Sequence, residues 1–228
     1  MRPAAAAFIA IAVAVTGVSS YLAFSPSRSG TLAFWALAVG PTLVLAAIAG
    51  AWAKREELLA EWLTPKWGDF TRGLMGAVVL YGAAWAFKEM VMPVGAAHEL
   101  WLVSLYGQLG DPRELQAHAP AVAVAVSAAA LAEEVLWRGV VTQLLAERVG
   151  SRAAWVWAAA LYALGYVPTM WALRAGGSVN PVLVVAALGA GILWGGMARG
   201  FGRLAPVALA HALFDWVVVM MFPLWGVR

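Results

Sequence analysis

Two neighbouring carboxylates, Glu133 and Glu134, and a nearby arginine, Arg138, interrupt a long apolar stretch of this chain. Ionisable groups at the centre of a membrane helix cost roughly 2.5–3.5 kcal/mol each on insertion scales, so they persist where they are paired or working. Glu134 and Arg138 stand at i, i+4 with the acid N-terminal, the favourable order for an ion pair along a helix. Successive helical residues point about 100° apart at 3.6 residues per turn, so Glu133 cannot share that job. Left without a local counter-charge, it suits a general base acting on water. The structural alternative is a buried ion pair with Glu133 at a water-filled crevice. Nearer the C-terminus, His211 and Asp215 share a helix face at the same spacing. They could polarise a peptide carbonyl, bind a metal or relay protons.

Other polar residues read more plainly. Tyr162 and Tyr166, again i, i+4, look like packing residues when taken alone, and Pro168 should end or kink their helix. Lys88 and Glu89 read as interfacial, with the lysine snorkelling towards headgroups. His98 and His118 read as solvated or capping residues of a loop.

Membrane helices must position these groups. Of 228 residues, 63% are hydrophobic and 12% charged, and the mean hydropathy is +0.80, too apolar for an ordinary soluble domain. The apolar runs are continuous rather than alternating, which predicts helices and not a β-barrel. The expected fold class is all-α, a polytopic transmembrane helix bundle of about seven spans, near 4–24, 31–53, 74–92, 120–145, 153–173, 181–198 and 204–222. Tyr21-Leu22-Ala23 is a poor cleavage site, so the first span is expected to be uncleaved rather than a signal peptide. The mixed-charge loop from Lys54 to Phe70 could hold a short interfacial helix. In the loop from His98 to Ala119, Trp101, Leu102 and Tyr106 could dip back to the membrane surface. There is no internal repeat, and 1–228 reads as a single integral membrane domain.

Composition excludes several functions. Cysteine is absent, so disulfides and thiolate chemistry are out. The basic residues are scattered in short loops, with no stripe for nucleic acid. They divide by side: Arg2, Lys54, Arg55, Lys66, Arg72, Arg148, Arg152, Arg199 and Arg203 against Arg28, Arg113, Arg174 and Arg228. The positive-inside rule then predicts a cytoplasmic N-terminus.

The order and spacing of these motifs resemble the CPBP family of intramembrane proteases, which includes the type II CAAX prenyl endopeptidases and bacterial Abi-type proteins. Glu133-Glu134-Val135-Leu136-Trp137-Arg138 matches the family's Glu-Glu-x-x-x-Arg motif, and His211 with Asp215 matches His-x-x-x-Asn/Asp. The resemblance covers about 119–219 as a catalytic core, with 1–118 as N-terminal membrane helices. The second motif, Phe-x-x-x-His, departs: Tyr162 stands at the Phe position and Tyr166 at the His position. The resemblance implies a glutamic intramembrane endopeptidase of a bacterial inner membrane, cleaving membrane-anchored protein or peptide substrates in processing, sorting or CAAX-type reactions. It implies Glu133 as the base, the Glu134–Arg138 pair beside it, Tyr166 as the second partner of the water, and His211 with Asp215 as the carbonyl-polarising pair. No cofactor and no metal is expected; few ligands remain, namely Glu133, His211 and at most Asp215, where catalytic zinc usually needs three protein ligands. A phenol accepts a proton poorly, so one alternative is a catalytically degenerate, partner-binding or immunity protein. The other is a small transporter or proton pathway lined by Glu133, His211 and Asp215.

Overall fold

The computed structural model describes residues 3–220. Arg2, Arg228 and the end of the seventh expected span at Phe222 lie outside the described residues. Among those described, every regular element is a helix. Six are long and apolar enough to cross a membrane: Pro3–Ala23, Leu32–Arg55, Asp69–Val91, Ala119–Val149, Ser151–Ala172 and Val182–Phe201, joined by a shorter apolar helix, Ala205–Met220. Backbone polar groups have no water to bond in lipid, so a helix, which satisfies them internally, is the form such apolar sequence takes.

In chain order, α1 (Pro3–Ala23) and α2 (Leu32–Arg55) form a hairpin. The hydroxyl of Thr31 caps α2 by accepting from the Phe34 N–H. The short α3 (Leu58–Leu63) follows, then α4 (Asp69–Val91). The expected loop at 98–119 instead holds two further helices, α5 (Glu99–Leu109) and α6 (Pro112–Ala117). Leu102 and Tyr106 of α5 are buried in a packed cluster with Met92 and Val182 rather than lying on the membrane surface. Asp111 and Pro112 start α6 by a side-chain cap and a proline in its first turn.

The fourth span changes helix type along its length. It runs as α7 (Ala119–Glu133), a π-helical segment (Glu134–Val141) and α8 (Thr142–Val149). The Thr142 backbone N–H donates to the Trp137 carbonyl, five residues back, as the i→i+5 pattern requires, and the Thr142 hydroxyl donates to the same carbonyl at 2.8 Å. Gly150, at φ 78°, makes the sharp reversal into α9 (Ser151–Tyr166). That helix ends before Pro168, which opens the short α10 (Thr169–Ala172). α11 (Val182–Phe201) and α12 (Ala205–Met220) complete the bundle.

α9 packs against α11, α8 and α1, while α12 packs against α4 and α7. Where helices cross most closely the contact residue is small: a Cβ on Gly165 would meet Thr16 Cγ2 at 2.8 Å, and one on Gly139 would meet the Trp62 ring at 2.6 Å. Outward positions such as Val18, Val44, Ile48 and Met75 are apolar and exposed, as a lipid-facing wall requires.

The connections gather into two faces. On one, Arg203 is buried in a two-pronged ion pair with Asp69, at 2.5 and 2.8 Å, and Arg199 donates to the Arg152 carbonyl. On the other, Asn180 donates to the Trp101 carbonyl, Ser104 to that of Leu173, and the Gly30 N–H to that of Gln108. Lys88 differs from expectation. Its side chain is buried and paired with Glu89 at 2.7 Å instead of snorkelling outward.

Candidate active site

The six sequence-picked residues converge at one level of the bundle. Glu133 is the last residue of α7, and Glu134 and Arg138 lie in the π segment that follows. Tyr166 ends α9, and His211 and Asp215 lie one turn apart on α12. Glu133, Glu134, Arg138 and His211 are all buried.

Glu133 and Glu134 do point apart. Glu134, fully buried, has Oε1 at 2.8 Å from His211 Nδ1 and 3.2 Å from Arg138 Nη1. Against a carboxylate, that imidazole nitrogen carries the proton and donates. The guanidinium meets Glu134 as an ion pair, without the angle of a hydrogen bond. Two aromatic faces hold it as well: Tyr162, whose ring centre is 4.5 Å from the guanidinium carbon, and Trp194 at 5.1 Å. Trp194 also stacks on the His211 ring, centroids 3.6 Å apart. His211 is thus fixed by a hydrogen bond at one edge and an indole across its face.

The other imidazole nitrogen, Nε2, faces Asp215 Oδ2 at 3.4 Å and Glu133 Oε2 at 3.9 Å. Glu133 accepts from two phenols, Tyr162 at 2.5 Å and Tyr166 at 3.1 Å. A carboxylate offers about four acceptor positions, so two remain. Glu133, Tyr166 and Asp215 all line one cavity of about 230 Å³, bounded elsewhere by α1, α2 and α5.

The tyrosine pair corrects the sequence reading. Its i, i+4 spacing is a shared-face signal, yet the face it presents is the Glu133 carboxylate and not merely packing. Tyr162 was therefore missed as a direct partner of Glu133. Trp194 was missed outright, because nothing marks it among the 13 tryptophans of the chain. His98 stacks on Trp101 and His118 lies near Glu114 in an exposed pair, both away from this cluster. Among the described residues, no group of three or more histidine, aspartate or glutamate side chains is placed to hold a metal ion.

The protein is thus an all-helical membrane bundle that buries a carboxylate–imidazole cluster beside a cavity. Residues 115–217, which contain all six site residues, match the family model for type II CAAX prenyl endopeptidase Rce1-like. Residues 115–217 are therefore similar to the CAAX proteases, a family of membrane endopeptidases. No curated protein and no solved structure matches the chain.

Proposed function

We propose that this protein is a glutamate-dependent intramembrane endopeptidase, cleaving a membrane-associated protein by direct attack of water. The observation that carries the reading is Glu133, a buried carboxylate with two acceptor positions filled by phenols, facing a cavity and 3.9 Å from an imidazole nitrogen.

In this reading Glu133 takes a proton from a water in the cavity as the water oxygen bonds to the peptide carbonyl carbon. His211, doubly protonated, donates from Nε2 to the developing oxyanion, and Asp215 orients that N–H. Glu133 then passes its proton to the amide nitrogen as the C–N bond breaks, leaving a carboxylic acid, which keeps the second hydrogen of the water, and an amine. Glu134 and Arg138 position His211 and touch no reacting atom. Tyr162 and Tyr166 hold the base in place. The bacterial inner membrane follows from the family resemblance alone, and a cytoplasmic N-terminus from the distribution of basic residues.

The test compares the termini of membrane proteins in cells expressing the chain or its Glu133→Gln variant. A terminus present only with the unmodified chain names the substrate. Identical termini, with both proteins inserted equally, refute the proposal.

A further inference from the structure

Two cavities enter the bundle from opposite faces and stop at successive parts of one motif. The first, described above, runs from Glu133, Tyr166 and Asp215 to Phe24, Trp35 and Leu109, beside the α1–α2 connection and the end of α5. The second, of about 210 Å³, opens among Trp62, Gln143, Ser151, Arg199 and Arg203 on the other face and ends on Arg138. It does not reach Glu133. Leu136 and Trp137 are fully enclosed between the two, and the Arg138 guanidinium is clamped there by Tyr162 and Trp194. Of these two cavities, Glu133 lines only the first.

Charge distinguishes those faces. Lys54, Arg55, Lys66, Arg72, Arg148, Arg152, Arg199 and Arg203 lie at the end of the bundle holding the second cavity. Arg28, Arg113 and Arg174 lie at the end where the Glu133 cavity leads. Lys88 sits near that end too but is neutralised by Glu89. Basic residues near span ends are retained in the cytoplasm.

We infer that Glu133 is reached from the extracytoplasmic side, so that the substrate is an exported peptide segment of a membrane-anchored protein and not a cytosolic prenylated tail. The identity of the occupant rests on the endopeptidase reading; the side of access does not.

The chain has no cysteine, so single cysteines report access directly. In right-side-out vesicles, a charged, membrane-impermeant thiol reagent is applied to four full-length variants. Ser27→Cys and Ser151→Cys mark the two faces, Leu109→Cys the cavity rim, and Ala129→Cys the cavity wall one turn from Glu133. Ser27→Cys, Leu109→Cys and Ala129→Cys should label fully, and Ser151→Cys only after permeabilisation. Labelling of Ala129→Cys only after permeabilisation, or on neither side while Ser27→Cys reacts, overturns the inference. So does labelling of Ser151→Cys before permeabilisation. Repeating the series with Glu133→Gln, which should leave labelling unchanged, separates access from catalysis. Outside labelling in a chain that cleaves nothing would refute the endopeptidase reading alone.

Discussion

At the scale of single residues, the two adjacent glutamates divide structure from chemistry. Glu134 is consumed by Arg138 and His211, whereas Glu133 keeps acceptor capacity towards the cavity. Glu133→Gln should lower cleavage by about 10²–10⁴-fold, the usual contribution of a general base, measured as turnover of a reporter substrate in proteoliposomes. Tyr162→Phe removes the shorter of two hydrogen bonds to that carboxylate. It should cost about 1.5–3 kcal/mol, seen as earlier thermal unfolding in detergent together with slower cleavage. Tyr166→His tests the departure from the family pattern. An imidazole can accept a proton from water and a phenol does so poorly, so turnover should rise above the parent; a fall would make Tyr166 the better partner in this site.

At the scale of elements, the π segment is what lets Glu134 and Arg138 turn inward one residue after Glu133 faces the cavity. Its Gly139 lies directly under the rigid Trp62 ring, while Gly76 lies against the flexible end of Met197. Gly139→Ala should destabilise by about 1–3 kcal/mol through overpacking. Gly76→Ala should cost less, because Met197 can swing aside. Thermal unfolding of the pair in one detergent checks the contrast. On the basic face, Asp69 joins the start of α4 to Arg203 just before α12. Asp69→Asn strands a buried guanidinium and should cost about 3–5 kcal/mol, read as lost folded yield or a lowered Tm. Equal stability of this variant and the parent would mean that the pair is not a clamp.

Across the whole molecule, the family match begins at residue 115, yet the site cavity does not. Nine of its twenty lining residues, from Thr16 to Thr42, come from α1, α2 and the segment between them. α1 is also tied to the second-motif helix where Ser20 Oγ donates to the Gly165 carbonyl. Residues 112–228 expressed alone should therefore lack cleavage activity, and co-expression with 1–111 should restore it. Activity of the C-terminal piece alone would show that the N-terminal helices do not shape the site.

The amino-acid sequence determined the helical membrane class, because long apolar runs have one way to satisfy their backbone in lipid. It also marked five of the residues of the cluster, Glu133, Glu134, Arg138, His211 and Asp215, because charge and imidazole stand out against an apolar background, and the Glu134–Arg138 pair, because i, i+4 spacing is local. Helicity within 98–119 was hidden by its mixed composition, and only packing of Leu102 and Tyr106 against Met92 and Val182 made α5 part of the core. Tertiary structure alone decided that Tyr162 and Tyr166 face Glu133, that Trp194 covers His211, and that Glu133 shares a cavity with α1 and α2. Each of these is a relation between helices far apart in the chain. Periodicity reports which residues share a helix face, while the neighbour that face meets is set by how the helices pack.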